Sequence, residues 1–316
     1  MEPAVKSESY SDGFALFDSA NAQARSEQVR TGIAVRTAMT QLVFDRFLCR
    51  VFAEPDSGFG LKGGTGMLAR IPRGRATEDV DLEHGSHTLA AAVDEITRLA
   101  AVDLGDFHRF TRGREKPMVG GTQPGVDGAR LTFHAELLGP ITTVGQPRIR
   151  RLNPVSVDLA IHGRPSAPLV RRAPGFRLDL RKPLVVHDYV MISVEDQIAD
   201  KVSAMMGTSY ASGKGSSRAK DLVDIVLLAH HEPMGSDTLR AAIIAERTRR
   251  GIPHFDTLTA TDAIQGGFPT TAANTVALPT GLTWEGALAI ANSLIGPALT
   301  GAASGRTWDP ATRLWQ

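Results

Sequence analysis

The stretch LKGGTGMLARIPRGRATEDVDL, from Leu61 to Leu82, restricts the fold more than any other part of the chain. Its glycine pair, Gly63 and Gly64, reads as a tight turn standing just ahead of two carboxylates, Asp79 and Asp81, that alternate along a predicted strand. Residues at i and i+2 of a strand point to one face, so these two carboxylates can converge on a single cation. Magnesium is normally held by one or two carboxylates plus phosphate oxygens, and the backbone N–H groups of a glycine turn can cradle phosphate with no side chain in the way. This order of parts fits a nucleoside triphosphate with its magnesium, and phosphoryl or nucleotidyl transfer is the chemistry expected of it. Gly64 is followed by Thr65 and Gly66 instead of the GK[ST] ending of a P-loop, which argues against a Walker-type ATPase.

A chain of 316 residues, 42% of them hydrophobic, can bury a substantial core, and two units are expected. The formal charge of +1 says little about partners. Its distribution says more: Arg148, Arg150, Arg151, Arg164, Arg171, Arg172, Arg177, Arg181 and Lys182 face only Asp158 and Asp179 between Gln146 and Lys182. Such an excess suits either a phosphate backbone or a solvated loop surface. The single cysteine, Cys49, excludes an intrachain disulfide and a cysteine-rich zinc site, and its place in LVFDRFLCRVF predicts a buried small hydrophobe. No segment reaches the roughly 18 apolar residues of a membrane span, and MEPAVKSESYSDG has no apolar signal core, so a soluble, cytoplasmic protein without membrane partners is expected.

Along the chain, residues 1–18 read as a flexible tail, and Ser19 to Phe52 as one long or broken helix that EPDSG stops. FGLKGG and TEDVDLEH predict neighbouring strands, and HTLAAAVDEITRLAAV predicts an amphipathic helix. FHRFTRG, ARLTFHAELLG and NPVSVDLAIHG suit antiparallel neighbours, followed by PLVVHDYVMIS. From Ser193 helices take over, in SVEDQIADKVSAMM, SRAKDLVDIVLLAHH, SDTLRAAIIAERTRRG and a segment from Trp284 to Leu299. The plan is α+β: a mixed sheet flanked by helices over 19–192, and a helical C-terminal unit over 193–316.

Several side chains join the loop and the carboxylates as candidates. Asp158, among apolar β-formers in VSVDLAIHG, needs a compensating charge, and its reading stays open between a third metal ligand and a turn cap or the partner of an arginine from the basic stretch. Thr65 can give a hydroxyl to phosphate, and Arg70 or Arg75 a guanidinium fork. Lys201 borders the apolar stripe of its helix, from which its ammonium can reach phosphate with Asp221 to orient it, or snorkel to solvent. Arg218, Lys220 and Asp224 lie beside Asp221.

LKGGTGMLAR, RATEDVDL, EDQIADKVSAM and SRAKDLVDI, in that order, closely resemble the AbiEii/AbiGii-type nucleotidyltransferase toxins of type IV toxin–antitoxin systems, over about Leu42 to Leu228. The resemblance implies a polymerase β-like nucleotidyltransferase fold whose C-terminal helices complete the active site. It implies Asp79, Asp81, Lys201 and Asp221 as catalytic residues, with Gly63, Gly64 and Arg218 at the nucleotide, where Lys62, Thr65 and Arg70 are expected to join them from their places in and after the loop. Mg2+ would lie on Asp79 and Asp81, with Asp158 as the third carboxylate of the wider class. SRAKD stands where the family more often has an arginine–aspartate pair. The implied activity is transfer of a nucleoside monophosphate from an NTP to an RNA acceptor, the tRNA 3′ end in some members, which blocks translation. Transfer to a protein or small-molecule hydroxyl, and a catalytically silent nucleotide-binding regulator, are the alternatives. A cognate antitoxin is expected, and phosphorylation of Thr65 or Thr77 is one way it could act.

Overall fold

The computed structural model describes residues 9–54, 56–85, 88–118, 127–161, 166–207 and 216–316; Arg164 of the basic stretch and residues 1–8 of the expected tail lie outside them. Asp12 starts the first helix, α1 (Gly13–Thr31), by accepting hydrogen bonds from the N–H groups of Phe14 and Ala15. The last six residues assigned to a tail, Gly13 to Asp18, are therefore helical, and Leu16 and Ala20 are fully buried. The break in the predicted long helix falls between α1 and α2 (Val35–Val51).

β1 (Phe59–Lys62) runs directly into α3 (Gly63–Arg70), and β2 (Val80–His84) returns antiparallel beside β1. After α4 (Leu89–Ala100) come β3 (His108–Pro117), β4 (Asp127–Ile141), β5 (Pro147–Arg151), β6 (Val155–Ile161), β7 (Val170–Arg172) and β8 (Tyr189–Met191). They complete a mixed eight-stranded sheet of order β3-β4-β6-β2-β1-β8-β7, with β5 also on β4. The β2–β6 and β1–β8 pairs are parallel. The antiparallel run β3–β4–β6 agrees with the sequence pattern. PLVVHDYVMIS forms a strand only from Tyr189.

One face of the sheet carries an apolar core. Leu61, Leu82, Leu131, Phe133, Val157 and Leu159 meet Phe47, Leu48 and Val51 of α2 and Val93 and Ile96 of α4. Inside that layer the charges of LVFDRFLCRVF are paired: Arg46 and Arg50 both donate to the fully buried carboxylate of Asp106. Burial opposes its ionisation, but the hydrogen bonds of Arg50 and the surrounding cations hold Asp106 down at about 2. Cys49 is buried as expected, and burial with the Asp45 charge pushes its thiol up.

The second core belongs to α5 (Val194–Met206), α6 (Ala219–His231), α7 (Ser236–Arg249), α8 (Asp262–Ala273) and α9 (Trp284–Thr300). Ser193 caps α5 by accepting from the Asp196 N–H, as its spacing predicts. Met67 and Ile71 at the end of α3 reach into this core. β9 (Met234–Gly235), β10 (Thr307–Asp309) and β11 (Leu314–Trp315) make a small antiparallel sheet. Buried Trp308 closes it, donating from Nε1 to the Ala229 carbonyl. Among the described residues no helix is long and apolar enough to cross a membrane.

Candidate active site

The turn after β1 brings backbone and carboxylate together. Gly63 has φ +59°, a left-handed conformation, and a Cβ there would lie 1.9 Å from Asp81 Oδ2, so only glycine fits. Gly64 donates its N–H to the same oxygen at 3.2 Å. Gln197 of α5 donates to the Gly63 carbonyl, fixing the turn from the helical side. Asp81 is directly opposite Lys62 on β1 and directly opposite Asp158 on β6, so strand register alone aligns the three. Asp79 sits one residue before β2, where Thr77 donates to its carboxylate at 3.0 Å.

These groups line one cavity of about 570 Å³, together with Arg75, Lys116, Arg130, Asp200, Lys201, Arg218 and Asp221. The sheet supplies the carboxylates and the glycine turn. The helices α5 and α6 supply the opposite wall.

Asp158 is paired, and from an unforeseen direction. Its partner comes not from the basic stretch but from Arg130, the residue opposite it on β4, with both guanidinium contacts at 2.5 Å. Arg130 also stands 4.0 Å from Asp79. Even so, Asp81 is left with too much negative charge around it: burial, then Asp79, then Asp158 push its carboxyl up to about 6. A divalent cation between Asp79 and Asp81 would relieve that crowding, so the donor set fits magnesium, with phosphate oxygens completing the shell. Among the described residues no group of three His, Cys, Asp or Glu side chains is arranged to hold an ion alone.

Lys201 is buried and does not snorkel. Its ammonium lies 2.5 Å from Asp224 and 3.6 Å from Asp221. Burial disfavours its charge, but Asp224 and then Asp221 outweigh that and raise it above the ordinary lysine value. Asp224 is the residue sequence reasoning under-weighted. Fully buried, it also takes a forked contact from Arg75, at 2.9 Å to Nη2, and so joins the loop before β2 to α6. Its position three residues after Asp221, one turn along the same helix face, was the available signal. Arg218 reaches Asp221 at 3.3 Å.

Other expected members lie elsewhere. Thr65 is buried in α3 with its hydroxyl spent on the Asp79 carbonyl, so it shapes the carboxylate turn and is turned away from the cavity. Thr77 lines the cavity and keeps access to it. Arg70 is buried and bonds the Ile192 carbonyl at 2.6 Å, with Glu232 3.6 Å away, clamping sheet to helices. The basic stretch is partly built in: Arg172 pairs with Glu232, Arg177 with Asp45, and Arg150 stacks on Phe14 and Phe17, while Arg148, Arg151, Arg171 and Arg181 stay exposed.

Comparison with known proteins gives this geometry a lineage. Over 89% of both chains the structure superposes on MenT4, a nucleotidyltransferase toxin from Mycobacterium tuberculosis, with a TM-score of 0.54 at 15% identity, a likeness of fold. JHP933 from Helicobacter pylori aligns over 85% of this chain and 95% of its own, with a TM-score of 0.43 at 12% identity. No curated protein matches in sequence. The model of the AbiEii toxin family, nucleotidyl transferases of type IV toxin–antitoxin systems, matches residues 46–281. That span holds every side chain of the cavity, and the chain belongs to the AbiEii nucleotidyltransferase toxin family.

Proposed function

We propose that this protein transfers a nucleoside monophosphate from an NTP to an RNA acceptor, the 3′ end of a tRNA, and so blocks translation and growth until a cognate antitoxin restrains it. The observation that carries the reading is the meeting of Asp79 and Asp81 from the sheet with Lys201, Arg218 and Asp221 from the helices around one cavity. It supports the division at about residue 192, with a C-terminal unit that completes the site.

In this reading Asp79 and Asp81 would hold magnesium, with Asp158, the residue opposite Asp81, beside them and paired with Arg130. When bound, the metal neutralises triphosphate charge and lowers the pKa of the attacking hydroxyl. The Gly63 turn with Gly64 N–H, Lys62, Arg75, Lys201 and Arg218 binds and orients the triphosphate. The acceptor 3′ oxygen attacks the α-phosphorus, the bond to the bridging oxygen breaks, and pyrophosphate leaves. Asp221 takes the hydroxyl proton, while Asp224 keeps Lys201 and Arg75 aimed at phosphate.

Incubation with each α-labelled NTP and total RNA, with and without magnesium, tests this. Label in RNA that requires magnesium and disappears in Asp81→Asn is expected. Label confined to protein or small molecules would instead favour a different hydroxyl acceptor.

A further inference from the structure

The active-site face of the sheet does not end at the carboxylates. Strand register continues it outward: Arg130 is opposite Asp158 and Lys116, His134 is opposite Thr111, and Glu136 is opposite Arg151. All point to the face that bears Asp81 and Asp158, because directly opposed residues share a face. The other face of these strands is covered by the apolar core and by α1. On the open side Thr111, His134, Lys116 and Arg151 are exposed.

A second cavity of about 360 Å³ opens there, bounded by Thr111, His134, Glu136, Arg151, Leu152 and Pro154. His134 lies four residues along β4 from Arg130, roughly 13 Å away. Its imidazole lies against Gly113 of β3, where a Cβ would come within 2.6 Å of Nε2. Glycine thus leaves the ring room to lie against the neighbouring strand. Arg109 is matched by Glu136 at 2.6 Å, and Lys116 and Arg151 add exposed positive charge at either end. Aromatic platforms flanked by cations are how single-stranded nucleic acid is held, with bases stacked and the backbone neutralised.

We propose that this open face of β3, β4, β5 and β6 is the docking track for the single-stranded 3′ segment of the acceptor RNA, with one nucleotide in the cavity between His134 and Arg151. The proposal rests on RNA being the acceptor. It places the body of the acceptor on the sheet side of the site, with its terminal hydroxyl reaching Asp221 of the helical wall.

The test is steady-state transfer with varied RNA and varied NTP in wild type, His134→Ala, Arg151→Glu and Arg148→Glu, each checked for unchanged thermal unfolding. Arg148 is exposed on the same strand, and alternation turns it to the opposite face, so it controls for charge alone. Expected is a rise in KM for RNA of about tenfold in His134→Ala and Arg151→Glu. KM for NTP stays level in all three, and Arg148→Glu behaves as wild type. RNA labelling with an unchanged RNA KM in both track variants overturns the track while transfer to RNA stands. An equal effect of Arg148→Glu overturns it too. Label on a protein or small molecule but not on RNA overturns both.

Discussion

The site depends on individual residues to different degrees, and the distances rank them. Gly63→Ala drives a methyl into Asp81 and strains a positive φ, so the expected outcome is loss of transfer with at least about 1–3 kcal/mol lost in urea unfolding. Asp224→Asn removes the charge that Lys201 and Arg75 share in the interior. Breaking a buried ion pair costs about 3–5 kcal/mol, and with Asp221 still 3.6 Å from Lys201 a loss of up to that size is expected, with transfer falling too. If Asp224→Asn unfolds at the wild-type urea midpoint, Asp224 does not hold the two walls together. Asp81→Asn should do the reverse in metal-free protein. It removes one of three crowded carboxylates yet keeps an oxygen for the Gly64 N–H, so Tm should rise by about 2–4 °C while transfer disappears. A lower Tm in calorimetry would contradict the crowding. At this scale the sequence was most readable where spacing alone dictates geometry, as in Gly63, Asp79 and Asp81. It was least readable for Arg70 and Thr65, whose partners, Ile192 and Asp79 carbonyls, are backbone atoms that no side-chain pattern advertises.

Among the elements, those with strong periodicity or caps were legible, and those held by distant contacts were not. α5 announces itself through Ser193, and Ser193→Ala should cost about 1 kcal/mol in urea unfolding. A loss of less than a tenth of that would mean the cap is replaced by solvent. β5 was hidden because PRIRR reads as a charge run; it forms because β4 continues past the end of β6 and offers a free edge. α8 was hidden by Gly266, Gly267 and Pro269, which read as breakers. It is helical because Thr261 caps it and Ile264 and Phe268, four apart on one side, are buried in the helical core. The basic stretch stayed ambiguous for a related reason. A one-dimensional charge count cannot show that Arg172 and Arg177 are turned inward to Glu232 and Asp45.

For the whole molecule, the two cores meet at the site, and the Asp106 cluster locks the sheet layer behind it. His108 lies in that cluster, buried, and burial holds its imidazole down to about 4. The unfolded chain binds a proton near the ordinary histidine value while the folded one does not, so stability is fully present above about pH 6.5 and falls as pH drops towards 4, by roughly 3 kcal/mol. Urea unfolding at pH 7 and pH 4.5 checks this: the loss should be present in wild type and much smaller in His108→Asn. Equal losses in the two proteins would place the acid sensitivity elsewhere.

The central claim is that residues from two separate cores form one nucleotidyltransferase site. It is tested most directly by a double-mutant cycle on labelled nucleotide transfer, with Asp81→Asn from the sheet and Lys201→Met from the helices. Each single change should lower the rate by about a thousandfold or more, and the double variant should be no slower than the worse single, as for groups that act as a unit. Multiplicative losses in the double variant, or transfer that survives either change, would contradict a shared site.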